Sequence, residues 1–182
     1  MWASAVTVAG PEAEPVSLEA AKEFLRIDAD DDSFDAELTM TIAGVRDDVE
    51  RITSTRLITQ TVQLAADEFA DLLQLPIGPV QEVVSIAYDD LAGAEHVLAP
   101  ARYELVGAGL VRGVRCTVGN DWPNDLRRAT GTIRVTLKVG HGDGAEDLPQ
   151  SLYVAMLRAV KAEFEGTPIA LAAMLDNHRI WL

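Results

Sequence analysis

The sequence predicts an α+β protein: a helical bundle, made of an N-terminal helix pair and C-terminal helices, with an inserted antiparallel β region. Three observations carry this. Phe34, Leu38, Ile42, Val45, Val49 and Ile52 recur at steps of three and four, which places them on one stripe of a long helix. From Ile58 the period changes to two, with Ile58, Gln60, Val62 and Leu64 alternating with Thr59, Thr61 and Gln63 in a β-branched, half-buried strand. The helical period then returns at Leu152, Ala155, Met156, Ala159, Val160 and Phe164. The expected organisation is an N-terminal arm over 1–16, the bundle over 17–57 and 148–182, and the β region over 58–147.

In order, Gly10, Pro11 and Pro15 among small residues mark the arm. Ser17 is the N-cap of a short first helix bearing Leu18, Ala21, Phe24 and Leu25. The acidic connection Asp28 to Asp32 leads to Ser33, which opens the striped helix; about 20 residues at ~1.5 Å each make a rod of roughly 30 Å. Opposite its stripe lie Asp35, Glu37, Asp47, Asp48, Glu50 and Arg51, read as a solvated face. Pro76-Ile77-Gly78-Pro79 breaks the chain before a strand over Val80 to Tyr88. A turn at Asp89 to Ala94 and short strands at 95–98, 103–106 and 110–114 continue what reads as a meander. Asn120 to Asp125 turns again around Trp122, and Thr130 to Val139 is the cleanest strand, with Ile133, Val135, Leu137 and Val139 on one face. Gly140-His141-Gly142-Asp143-Gly144 leaves the sheet, and Leu148-Pro149 starts the third helix. Gly166-Thr167-Pro168 stops it before a last short helix over 169–175.

The totals exclude several functions. At 182 residues the chain has enough core to fold without staples, and its lone Cys116 makes no internal disulfide. Arg112 and Arg115 beside that cysteine hint at a lowered thiol pKa, against which stands the ordinary role of free cysteine as buried filler. No apolar run approaches a membrane span, and the N-terminal segment does not read as a signal peptide. Lys and Arg number 15 against 29 Asp and Glu, a formal charge of −14 spread along the chain. Gripping a phosphate backbone needs concentrated cations, so a nucleic-acid binder is not expected.

Motif tests give little chemistry. Asp28, Asp30 and Asp32 have the first three positions of a calcium loop, but Ser33 stands where Gly is needed and Thr39 where the bidentate Glu belongs. Those carboxylates instead complement the positive end of the following helix. The glycines after Val139 lack the Lys and Ser or Thr of a P-loop, and Gly107, Gly109 and Gly113 miss the dinucleotide spacing. His96, His141 and His178 are far apart in sequence, with no pair at metal-ligand spacing. No catalytic, cofactor-binding or metal residue is assigned, and no cofactor is expected.

The order of elements and several local motifs together resemble the small head-tail connector (adaptor) proteins of long-tailed phages and gene transfer agents. The resemblance spans 15–182. It is carried by Pro15-Val16-Ser17-Leu18-Glu19-Ala20-Ala21-Lys22 with Leu25-Arg26-Ile27-Asp28, and by Val49-Glu50-Arg51-Ile52-Thr53 with Arg56-Leu57-Ile58-Thr59-Gln60-Thr61. Leu75-Pro76, Pro79-Val80, Tyr103 to Leu105, Trp122-Pro123, Ile133 to Thr136, Gly140-His141-Gly142 and Leu148-Pro149 complete it. The chain departs where an aromatic is expected between Gly140 and Gly142, and in a third helix poor in aromatics. The resemblance implies a structural virion protein and no enzyme. It implies a homo-oligomeric, dodecameric ring below the portal protein, docking a tail-side stopper or tail completion protein and extending a channel through which DNA passes without specific binding. It places the protein at the head-tail junction after assembly in the host cytoplasm, with no membrane.

Two other classes remain open from the residues: a small metal-dependent or hydrolytic enzyme using Asp28, Asp30, His141 and Asp143, and a cytoplasmic regulatory binding module. The candidate interface is the tail Arg179, Ile180, Trp181 and Leu182, since Trp and Arg are enriched at interface hot spots. The competing expectation for Trp181 is that it folds back on its own bundle.

Overall fold

Ile133, Val135, Leu137 and Val139 are all shielded from solvent, and the strand they form is the middle of a five-stranded antiparallel sheet. The computed structural model describes residues 1–181. The strands are β1 (Val6–Ala9), β2 (Gln60–Ala66), β3 (Val80–Asp89), β4 (Glu95–Val97), β5 (Tyr103–Ala108), β6 (Val111–Cys116) and β7 (Ile133–Val139). The sheet runs β1-β2-β7-β3-β4, and β5 with β6 makes a separate hairpin. The helices are α1 (Leu18–Leu25), α2 (Asp35–Thr53), α3 (Gln150–Phe164) and the single turn α4 (Leu171–Met174). The chain divides into two compact units, one of Met1–Gly10 with Thr59–Gly140, the other of Pro11–Ile58 with His141–Trp181.

In the first unit, register puts Val62 opposite Leu137, Leu64 opposite Val135, and Ile86 opposite Val135 on the other side. The period of two therefore delivers one face of three strands to a single core. Phe69, Leu72 and Leu75, in and after the 3-10 turn Phe69–Leu73, close that core together with Tyr103 and Val114 of the hairpin. Trp122 stacks on Phe69 with ring centroids 4.8 Å apart, and Tyr88 meets Phe69 edge-on. The hairpin lies so close to the 3-10 turn that a Cβ on Gly113 would overlap the Leu73 carbonyl oxygen. Next to it the Leu75 N–H donates to the Arg112 carbonyl at 2.8 Å.

In the second unit, Leu38, Ile42, Val45 and Val49 of α2 pack with Leu152, Met156 and Val160 of α3 and with Val16, Ala21 and Leu175. Burying one such aliphatic side chain contributes about 1.5–3 kcal/mol, more than an exposed ion pair such as Arg51 with Asp48 supplies. Ser17 caps α1 by accepting the Ala20 N–H at 3.1 Å, and α1 ends on Arg26 in the left-handed conformation. Lys22 is buried, pairs with Asp35 and reaches the Ala29 carbonyl, so a single cation holds the acidic connection.

The architecture corrects the predicted fold class. Among the described residues seven strands stand beside four helices, and the sheet has a core of its own comparable to the helical one. A helical bundle with an inserted β region therefore understates the sheet: it is mixed α and β, and the sheet begins before the first helix. The predicted arm contains β1, which joins β2 through Val6 opposite Gln63 and Thr7 opposite Val62. Its small residues hid the strand because all four side chains are exposed. Nor is the β segment a meander, because β7 enters between β2 and β3. Apolar alternation sets which strands are buried, but says nothing about their order. Helix α2 starts at Asp35, two residues after the expected Ser33, with no side-chain cap from Phe34. Glu50 is not on a solvated face; it is buried.

Candidate functional site: the end of α2 and the chain tail

Helix α2 ends at Thr53, and Ser54 turns the backbone in the left-handed conformation at φ 57°. Helix ends leave carbonyls and the next turn's N–H groups without partners. Here side chains supply them. The Glu50 carboxylate accepts the Leu57 N–H at 2.9 Å and faces Arg56, whose Nε lies 3.5 Å away, an ion pair longer than a hydrogen bond. Burial raises the Glu50 pKa above its ordinary value, against the Leu57 N–H and Arg56, which pull it down. Thr53 Oγ1 donates to the Val49 carbonyl at 2.7 Å and lies 2.6 Å from Thr55 Oγ1, with neither threonine exposed. The turn from the end of α2 to Leu57 is thus built by Glu50, Thr53 and Thr55.

The tail returns to this turn. Leu175 is fully buried in the helical core, and a 3-10 turn, Asp176–His178, follows it. The Ile180 N–H donates to the Thr53 carbonyl at 2.9 Å, satisfying one of the carbonyls at the end of α2, and the Ile180 side chain is buried. Trp181 is 62% exposed, with the Arg179 guanidinium 4.3 Å from its ring centroid. The Arg179 Nε is buried without a hydrogen-bond partner. Of the candidate interface residues, then, Ile180 is an anchor, Trp181 is exposed beside a half-buried Arg179, and Leu182 lies outside the described residues.

Two of the three histidines, His141 and His178, lie near enough for one to lower the other's pKa. His178 Nε2 lies 2.9 Å from Ser151 Oγ. The His141 pKa is pushed down, mainly by burial and also by His178. His96 pairs with Asp90 at 2.7 Å. The glycine-rich exit from β7 is knitted by Asp147, whose carboxylate accepts the N–H of Asp143 at 2.9 Å and of Gly144 at 3.4 Å. Burial raises the Cys116 pKa, with Arg102 pulling the other way, so the lowering hinted at by Arg112 and Arg115 is overturned. Asp31, between the three carboxylates of the failed calcium pattern, accepts the Ser33 N–H at 3.0 Å. No group of three His, Cys, Asp or Glu able to hold a metal occurs among the described residues. Sequence reasoning missed Glu50 and Thr53 as turn builders; the signal was a carboxylate seven residues before a buried Leu, at the point where the period changes.

No protein-family model matches the chain, and no curated protein matches it in sequence. Solved structures do match in fold. A chain in the neck of an empty gene transfer agent particle, computed with C6 symmetry, superposes with a TM-score of 0.78 at 21% identity, over 99% of this chain and 97% of that one. A chain in the virion of a native gene transfer agent particle gives 0.77 at 22% identity, over 98% and 96%. A chain in the neck of a native particle computed with C12 symmetry gives 0.68 at 23% identity, over 99% and 97%. At these identities the likeness is one of fold, and it extends over both units.

Proposed function

We propose that this chain is a structural virion protein of a phage or gene transfer agent, a head-tail connector that forms a ring below the portal and extends the DNA channel toward the tail. One observation carries the reading: the fold corresponds from end to end with chains in particle necks. Cyclic symmetry in those particles supports a ring of identical copies here, dodecameric in the assembled particle. The charge of −14 suits a conduit wall that DNA passes without adhering. No catalytic role is proposed. The exposed Trp181, with the half-buried Arg179 against its ring and Ile180 anchored beside it, serves as the docking end toward a neighbouring copy or the portal.

Cryo-imaging of particles from cells that encode the chain, with and without its gene, tests this. A ring of this fold at the neck is expected, and its loss should leave filled heads without tails. Tailed, infectious or gene-transferring particles from the deletion would defeat the proposal.

A further inference from the structure

The five-stranded sheet has two open edges at its opposite ends, and they differ. At one end β1 pairs, among the described residues, only with β2, and its four residues are all exposed, with Val6 at 64% and Val8 at 60%. From Met1 to Pro11 there is no charged side chain, in a chain whose charged residues make up 24%. At the other end β4 covers β3 only from Ala87 to Asp89, with one more bond from the Leu98 N–H to the Ile86 carbonyl. Among the described residues no strand pairs with Gln81 to Ser85 on that side. Register shifts between Val80 and Glu82 and between Val83 and Ser85 bracket this stretch, and Val84 between them is 49% exposed.

Open edges are templates for another strand, and proteins guard them with short strands, bulges, Lys, Pro or inward charge. Here the guards are only β1's four-residue length and the register shifts in β1 and β3, with no Lys or Pro in β1. The shift in β1 falls between Thr7 and Ala9. The uncovered part of β3 carries one charge, Glu82, which lies opposite Lys138 of β7. Two copies that each carry −14 repel wherever their acidic faces meet, so association favours the surfaces that lack charge.

We infer that the occupant of each edge is a second copy of this chain: β1 of one copy pairs with the uncovered stretch of β3 in the next. Because the two edges are different surfaces on opposite ends of one sheet, the contact is heterologous. A heterologous contact repeats head to tail and closes into a ring when its rotation allows, whereas like-to-like edges would stop at a dimer. Val6 and Val8 then meet Val84, covering the apolar side chains that both edges expose. The inference rests on the ring proposed above and names the surface that makes it.

The test uses the full chain with Cys116→Ser, Val8→Cys and Val84→Cys and a short bismaleimide linker. It is run on the wild-type-like oligomer in solution, or in particle-assembling cells if the purified chain is monomeric. The expected result is a ladder of covalent species beyond the dimer, with no dimer from either single-cysteine protein. Adding Val6→Lys should abolish the ladder, although lysine lowers the net negative charge and would aid association if charge alone mattered. A dimer from either single-cysteine protein, or no ladder from a protein that still assembles, would overturn the edge contact and leave the ring reading standing. A chain that is monomeric at every concentration and absent from particle necks would overturn both.

Discussion

Glu50 and Leu57 are joined by a side-chain to backbone hydrogen bond of 2.9 Å across the turn that leads out of α2. This bond has the Glu50 carboxylate buried, with a pKa raised above 4.5. A raised carboxylate pKa means the folded state binds the proton more tightly than the unfolded chain. The stability it contributes is fully present below 4.5 and is lost as pH rises through the higher folded value. Glu50→Gln keeps an oxygen for the Leu57 N–H and removes that titration, so its urea midpoint at neutral pH should lie at or above wild type. Glu50→Ala strands a buried N–H and should lose about 1–3 kcal/mol. Equal losses from the two variants would mean that charge, through Arg56, matters more than the hydrogen bond.

His141 acts in the opposite direction. Its pKa is lowered from 6.5, chiefly by burial and then by His178, so the unfolded chain binds the proton more readily. Its contribution is present above 6.5 and is lost as pH falls through the lower folded value. Denaturation at about pH 7.5 and about pH 5.5 should show acid destabilisation in wild type that shrinks in His141→Gln. An identical pH slope in the variant would remove His141 as its source.

Gly113→Ala places a methyl group against the Leu73 carbonyl, at the contact where β6 meets the 3-10 turn. Backbone against backbone cannot relax as a side-chain tip can, and overpacking of this kind costs about 1–3 kcal/mol. Thermal melts should show the loss, and Gly109→Ala, where nothing lies near but φ is positive, gives a strain-only comparison. If Gly109→Ala costs as much, close packing is not what requires Gly113.

If the chain lines a DNA conduit, as proposed, it needs no grip on what passes through it. With −14 and no concentrated Lys and Arg, the isolated chain should fail to retard duplex DNA at physiological salt. Tight binding that weakens steeply with salt in a mobility assay would point to a nucleic-acid module instead.

The legible parts of the sequence were those written in periodicity. The stripe from Leu38 to Val49 and the alternation in β7 both lie in the cores they implied. Strand β1 was not legible because its Val-Thr-Val-Ala run is only four residues long, all exposed, and sits beside Gly10 and Pro11, which read as an arm. The place of β7 between β2 and β3 was hidden for a different reason: alternation reports a buried face and not a neighbour. Glu50 misled because a carboxylate on the polar side of a helix is usually solvated, and only the turn folding back over it makes it a buried acceptor. At the tail, composition pointed to Trp181, while the residue that ties the chain down is Ile180.

That division of labour in the tail can be tested residue by residue. Ile180 is 7% exposed and bonded through its N–H to Thr53, so Ile180→Ala leaves the bond but empties part of a buried site. Buried aliphatic truncations cost about 2–5 kcal/mol, and a position near the chain end should fall at the low end of that range. Trp181→Ala removes an exposed ring and its contact with Arg179, worth about 0.5–1 kcal/mol at such a site. If the exposed Trp181 docks onto a neighbour, Trp181→Ala should leave the melting temperature almost unchanged while reducing ring formation or portal attachment. Deleting residues 179–182 should do both, lowering the melt because Ile180 goes and blocking assembly because Trp181 goes. Normal assembly by Trp181→Ala, measured in sedimentation and in particle yield, would take the tail out of the interface and leave Ile180 as a purely intramolecular anchor.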